Sequence, residues 1–514
     1  MSNSTINRVL KNSGYLYTSM AFSMFVSLYS TRLILNALGE SDFGIFCIIG
    51  GAIGMLGFLS SAMTQATQRF INYAEGAQQT NRKKQIFTVS IALHFLLSFI
   101  MIIILEIAGV IFFNGVLNIP ADRIESAKWI YQFMILSTAL TIQSVPYSSI
   151  INAHENMLYY SVLGFIQTCL KLIIAITIVY YSADKLILYG LLMTLLSFAV
   201  LLTQRFYCHY HYEECEFNIQ KHFNKSLMRE IISYASWGLL GSSSSMFSQY
   251  GMGLVLNFFG GTILNASQGI ANQVSGQLMV FSRTMLQAIN PVIGKKAGEG
   301  NKSNLMKAAL MSSKLSFIIF AFFAFPFYIE APYIMKIWLK NVPEWAVVFL
   351  RFEIIRNLIQ QLLVTLDSAV QAEGHIKYYN ILRSITFFLP LPITILLLWL
   401  GFSPYWYYII WIISWNLLGG SIILYFSHKN CNLQYCFFFK YLFFPFLVVS
   451  ILTFIIGFIL NILITESLLR LIIVSIGTLL VYLLSIWFIV LNKEEKDITH
   501  SIFISIRNKV LSII

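Results

Sequence analysis

The sequence predicts an all-α polytopic membrane protein of about fourteen transmembrane helices, built as two parallel six-helix repeats followed by two C-terminal helices. Composition, the spacing of apolar runs and an internal repeat carry that reading. Of 514 residues, 57% are hydrophobic and 11% are charged, with a mean hydropathy of +0.73. Soluble domains carry about 25% charged residues, so a water-soluble enzyme is excluded. Six cysteines without paired spacing argue against a disulfide scaffold. The first apolar run starts near Ser13, lacks a small-x-small cleavage site and continues into further spans, unlike a cleaved signal.

A helix needs about 20 apolar residues to cross the hydrocarbon core. Runs of that kind lie near 13–37, 43–66, 86–113, 126–150, 158–181, 185–204, 230–258, 262–290, 306–328, 346–371, 376–399, 404–427, 437–461 and 468–491. The chain carries 34 Lys and Arg against 22 Asp and Glu, a net charge of +12. Loops and helix ends on the N-terminal side collect 21 of the basic residues and the opposite side seven. The positive-inside rule puts both termini in the cytoplasm, and the excess charge belongs to topology rather than to nucleic acid. After the last span, residues 494–514 set Ile498, Ile502, Phe503 and Ile506 among charges, a pattern shared by an amphipathic interfacial helix and a polar tail.

The internal repeat sets the organisation. Leu35-Asn36-Ala37-Leu38-Gly39 returns as Leu256-Asn257-Phe258-Phe259-Gly260, and Gln65-Ala66 returns as Gln287-Ala288. Glu75-Gly76 returns as Glu299-Gly300, and Asn152-Ala153 with Tyr159-Tyr160 returns as Gln371-Ala372 with Tyr378-Tyr379. Six helices per copy make the copies parallel, related by an axis along the membrane normal. The expected parts are an N-terminal lobe (1–204), a linker (205–229), a C-terminal lobe (230–427), two further helices (428–493) and a tail (494–514). Paired lobes of this kind can rock around a shared central cavity.

Charges inside spans point to what such a cavity holds, because each costs about 2.5 to 3.5 kcal/mol at the bilayer centre. Six cations, Arg32, Lys171, Arg283, Lys314, Arg356 and Arg383, face three acids, Glu106, Glu353 and Asp367. Glu353 and Arg356 have the spacing of a helix ion pair. Lys314 and Arg383 either snorkel to the cytoplasmic interface or face the cavity. The cationic surplus favours an anionic substrate. Gln268, Asn272, Ser275, Arg283 and Asn290 fall on one face of the eighth span, and Arg356, Gln360, Asp367 and Gln371 on one face of the tenth. Arg32, Lys171, Gln268, Asn272, Arg283, Arg356 and Gln360 are therefore the expected substrate-binding residues. Asp367 is the acid expected to bind a coupling ion, with pairing to a nearby Arg as the alternative.

Other chemistry is missing. No G-x-x-x-x-G-K-[ST] loop is present, so ATP is not bound through a P-loop. Cys208-His209-Tyr210-His211 with Cys215 matches no common zinc spacing and reads as an ordinary loop. No loop gathers an acid, a base and a nucleophile, so no catalytic residue is assigned. Neither metal nor cofactor is expected beyond a coupling ion, Na⁺ or H⁺.

Arg32-Leu33-Ile34-Leu35-Asn36-Ala37-Leu38-Gly39 followed by Asp42-Phe43-Gly44-Ile45-Phe46, with the 6 + 6 + 2 plan and cationic interior, resembles the bacterial polysaccharide flippases. Their superfamily also holds the multidrug and toxic-compound extruders and the peptidoglycan lipid flippases. The resemblance covers essentially the whole chain. It implies movement of an undecaprenyl-pyrophosphate-linked oligosaccharide across the cytoplasmic membrane for O-antigen, capsule or exopolysaccharide assembly. Implied partners are membrane lipids and the polysaccharide polymerase and chain-length machinery, without nucleic acid. Positive charges line the lumen in such proteins, a role to which Arg32, Lys171, Arg283 and Arg356 could correspond. An ion-coupled drug or metabolite exporter is the alternative, though for cationic drugs it calls for an acidic cavity. A membrane-embedded glycan polymerase would need a large extracytoplasmic catalytic loop, and none is present.

Overall fold

The computed structural model describes residues 3–113, 121–216, 219–339, 342–493 and 495–497, and every regular element among them is helical. The tail expected over 494–514 lies almost wholly outside the described residues. We label the helices α1 (Asn3–Met55), α2 (Gly57–Gly76), α3 (Thr80–Ile111), α4 (Ile124–Ala153), α5 (Met157–Tyr180), α6 (Lys185–His211) and α7 (Lys225–Gly298). They continue as α8 (Lys302–Ile329), α9 (Ala331–Trp338), α10 (Ala346–Glu373), α11 (Lys377–Trp399), α12 (Trp406–Cys431), α13 (Tyr435–Leu463) and α14 (Leu468–Val490). Nine of these, α3 to α6, α8 and α11 to α14, are among the described residues long and apolar enough to cross a membrane.

α1 and α7 each take in a pair of the expected spans, across the turns expected near 38–42 and 259–261. Side-chain partners show that α1 doubles back. Ser19 donates to the Ser161 carbonyl and Ser23 bonds Thr168, so this stretch runs parallel to α5. Further on, Asp42 meets Arg123 and Gly50 meets Met134, so this stretch runs parallel to α4. α4 is itself parallel to α6, through Arg123 with Asp184, Thr194 with the Phe133 carbonyl and Ser137 with Ser197. α5 opposes both, since Tyr159 at its start stacks on Tyr207 near the end of α6. α7 doubles back as well. Tyr234 near its start packs on Phe70 of α2, and Gly294 near its end packs on Asn72.

Local chemistry sets several helix starts. The Asp184 side chain accepts from the amides of Leu186 and Ile187, Asn156 caps α5 and Asn224 caps α7. The repeat reappears in the backbone. Left-handed residues end two helices of the first copy, Gln78 (φ 54°) and Glu155 (φ 55°). Gly300 (φ 73°) and Gly374 (φ 102°) follow 222 and 219 positions later, within the range of offsets of the sequence matches.

Contacts gather the chain into two compact units. The first contains Met1–Phe247, Thr284–Ala308 and Ser368–Phe388; the second contains Ser248–Arg283, Ala309–Asp367 and Leu389–Ile514. In the second unit, Ile451, Ile455 and Ile459 of α13 and Ile472, Ile476 and Leu480 of α14 form exposed apolar rows. Water would penalise such faces by about 25 cal/mol per Å², and hydrocarbon removes the penalty. The chain is a multi-pass membrane protein.

At the basic end of the first unit, a polar network joins α2, α3 and the segments after α4 and α6. Lys83 Nζ lies 2.7 Å from Glu75 Oε2 and 3.5 Å from Glu214 Oε1, and His154 bonds Glu214 through Nε2. Burial alone would raise the Glu214 carboxyl, but the His154 hydrogen bond and the Lys83 charge hold it at about 2, below its ordinary 4.5. Glu214 therefore contributes stability above about pH 4.5 that is lost as the pH falls toward 2, an effect of about 3 kcal/mol. Thermal melts between pH 5 and pH 3 are expected to fall less steeply for Glu214→Gln than for the wild type. Identical slopes would show that this network does not govern acid sensitivity.

Candidate functional site

Three helices of the second unit enclose a cavity of about 490 Å³, within the range of small-molecule sites. Helical periodicity aims their side chains. From α7 come Gln268, Asn272, Ser275, Met279 and Arg283, at steps of three or four residues. From α10 come Glu353, Arg356, Asn357 and Gln360, and from α12 Trp411 and Trp415. Gly269 and Gly276 keep the α7 wall open, for a Cβ at either position would meet nothing within 4 Å.

Arg356 is held from several sides. Its Nε and Nη2 donate to Glu353 Oε2 at 3.0 and 2.8 Å, and its Nη1 donates to Gln360 Oε1 at 3.3 Å. The guanidinium carbon lies 4.4 Å from the Trp411 ring centre and 5.9 Å from that of Trp415. A guanidinium fixed by a fork and an aromatic face is pre-oriented for phosphate oxygens. Glu353 is 2% exposed and its Oε1 has no protein partner among the described residues, as is true of Asn357 Oδ1 and Asn416 Oδ1. Arg283 is exposed and forms no ion pair among the described residues, so its charge is left for a guest. The charged groups on the wall, Arg283, Arg356 and Glu353, carry a net positive charge.

The expected residues divide as follows. Gln268, Asn272, Arg283, Arg356 and Gln360 share this cavity, and Glu353 pairs with Arg356 as their spacing suggested. Asp367 lies eleven residues, about three turns, beyond Arg356 on α10 and is not among the residues lining it. Lys171 belongs to the first unit. On α5, Leu158, Val162, Phe165, Ile166, Ile173 and Ile176 form an exposed apolar face, and Lys171 lies about 180° from its centre. There it is exposed beside buried Leu163, Ile174, Ala175 and Ile178, and it is not among the residues lining the cavity of the second unit. Arg32 lies within α1, with its side chain outside the described residues.

Lys314 does not line this cavity, and its ammonium reaches the end of the last span instead. It is 2% exposed and its Nζ bonds Glu495 Oε2 at 2.7 Å, a partner from beyond the last span. Counting charges inside spans alone therefore overstated the free positive charge. Sequence reasoning missed Trp411, Trp415 and Asn357. The four-residue spacing of the tryptophans was the available signal, hidden in an apolar run.

Cys208 and Cys215 meet each other, but among the described residues this segment gathers no three metal-type ligand atoms of its own. Both cysteines are buried, whereas His211 is exposed and stacks on Tyr207. Glu75, His154 and Glu214 bring metal-type ligand atoms within 4.8 Å of one another, but the Lys83 ammonium already provides their positive partner.

The MatE family profile matches residues 241–396. No curated protein matches the chain. Among solved structures, a MATE protein in a bent conformation superimposes with TM-score 0.73 at 13% identity, over 83% of this chain and 95% of that one. An outward-facing multidrug resistance MATE family transporter of the MOP superfamily gives 0.71 at 13% identity, over 82% and 95%. A MOP superfamily transporter from Pyrococcus furiosus, described as having a binding pocket of reverse polarity, gives 0.69 at 14% identity over the same shares. The chain has the fold of the MATE transporters.

Proposed function

We propose that this chain, folded as a MATE-type transporter, flips an undecaprenyl-pyrophosphate-linked oligosaccharide from the inner to the outer leaflet of a bacterial cytoplasmic membrane. The chemistry is transport by alternating access, without bond making. One observation carries the reading: Arg283 and Arg356 share a cavity wall on which Glu353 is the only acid among the lining residues. A pyrophosphate bears two or more negative charges, and Arg forks bind such oxygens bidentately. Gln268, Asn272 and Gln360 supply hydrogen bonds, and Trp411 and Trp415 apolar faces, for the attached sugars. Lys171 and Arg32 are the proposed further cations, from the N-terminal half. Polymerase and chain-length proteins are the proposed downstream partners, and the proposed orientation has both termini in the cytoplasm.

Asp367 is the proposed coupling site for Na⁺ or H⁺. Glu353 competes for that role, because its Oε1, four residues from Asn357, is a buried hard oxygen without a protein partner. That same carboxylate favours the second reading, an ion-coupled exporter of small cations. Expression in cells lacking their own glycan flippase separates the two readings. Restored surface glycan without gain of cationic-dye efflux is expected. Dye efflux without surface glycan would favour the exporter.

A further inference from the structure

The first unit contains a cationic cavity of its own, about 630 Å³, at the end where the basic loops gather. Arg69, Arg82 and Lys377 line it together with Tyr234, Trp237 and Tyr378. Arg69 donates through Nε to the Ala372 carbonyl at 3.1 Å and through Nη2 to the Glu373 carbonyl at 3.0 Å. Its guanidinium carbon also lies 5.2 Å from the Tyr234 ring centre. Gly374 makes this approach possible, since a Cβ there would fall 1.9 Å from Nη2. These bonds pre-orient the guanidinium and leave Nη1 to donate elsewhere.

Lys377 Nζ lies 5.3 Å from the Trp237 ring centre and 5.6 Å from that of Tyr378, and has no carboxylate partner among the described residues. Two acids, Glu230 and Glu373, also line the cavity and act on the Arg69 charge, which leaves the three cations one positive charge in excess. Glu230 pairs at 3.5 Å with Arg82, with both side chains well exposed, so water screens that pair. Glu373 lies 3.8 Å from Lys302. Lys377 and Arg82 stand in the first turns of α11 and α3, whose helix dipoles add to the positive potential.

We propose that this cavity is a second anion site, taking a terminal phosphate or diphosphate on Arg69, Arg82 and Lys377, with Trp237 and Tyr378 offering ring faces to an attached sugar. The site rests on the transport reading only for the carrier of that phosphate, a lipid headgroup met at the cytoplasmic leaflet. A soluble phosphate compound has the same recognition chemistry.

Full-length protein in phosphatidylcholine nanodiscs tests this by calorimetric titration with inorganic pyrophosphate and by native mass spectrometry with undecaprenyl diphosphate. Lys377→Gln and Arg82→Gln alter exposed side chains, so folding is expected to persist. In an Arg283→Ala background, which removes the first cavity's contribution, each is expected to weaken the remaining binding about tenfold, the effect of losing one charge-assisted contact. Retention of the lipid weakened by both variants assigns a headgroup, and weakened pyrophosphate binding alone assigns a soluble phosphate. Binding unchanged in both variants overturns the site. Binding lost in Arg283→Ala alone also overturns it, while leaving the transport reading intact.

Discussion

The paired substitution Glu353→Gln with Arg356→Gln is expected to leave the protein folded and to lower transport of a pyrophosphate-linked substrate at least about tenfold. A hydrogen bond to a charged group contributes about 1.5 to 3 kcal/mol, which corresponds to roughly one to two decades in affinity. Arg356 has two such bonds committed to Glu353 and a third donor on Gln360, with Trp411 fixing the plane. An anion entering the cavity meets a guanidinium already oriented. Arg356→Ala alone is a poorer test, because it strands a carboxylate that is 2% exposed. Stranding one member of a buried pair costs about 3 to 5 kcal/mol. The neutral pair keeps the shape at position 353, shortens the side chain at 356 and removes both charges. Proteoliposome transport at matched protein content, read beside thermal melting, checks the prediction. Full transport by a normally melting double variant would remove Arg356 from the site.

The second large effect concerns stability. Lys314→Ala is expected to destabilise the second unit by about 3 to 5 kcal/mol, the cost of leaving one member of a buried pair uncompensated. Lys314 Nζ bonds the Val490 carbonyl at 2.8 Å and Glu495 Oε2 at 2.7 Å, and sits 4.2 Å from the Tyr441 ring centre. Tyr441 donates to Glu495 Oε1 at 2.6 Å, and the Asn492 amide donates to Oε2 at 2.9 Å. One ammonium thus ties the end of α14 to α8 and α13. Lys314→Met with Glu495→Leu removes both charges and is expected to cost far less than the single variant. Detergent-unfolding midpoints compare the two, and equal losses would show that packing rather than charge dominates.

How much of this was legible in the sequence varies by residue, and the reason is physical. The wall formed by Gln268, Asn272, Arg283, Arg356 and Gln360 was legible because polar residues at helical spacing inside an apolar run have few places to go. The repeat was legible as paired motifs, and the left-handed turns at Gln78 and Gly300 and at Glu155 and Gly374 recur within the same range of offsets. Trp411 and Trp415 were not legible, since aromatic residues make up 15% of the chain and suit lipid as well as a cavity. The partner of Lys314 was hidden because Glu495 lies beyond the last span. The reversals within α1 and α7 were legible as breaks between apolar runs near 38–42 and 259–261, and the side-chain partners of their two arms agree with them.

The central claim is that the cationic cavity carries a diphosphate-linked glycan across the bilayer. Leaflet transfer of a fluorescent undecaprenyl-pyrophosphate oligosaccharide in proteoliposomes tests it most directly, with wild type, Arg283→Ala and protein-free liposomes compared under imposed Na⁺ and H⁺ gradients. Protein-dependent transfer that falls at least about tenfold in Arg283→Ala, the loss of one charged hydrogen-bonding group, is the predicted result. Transfer at the protein-free rate across a panel of glycans, or transfer unaffected by Arg283→Ala, would contradict the account.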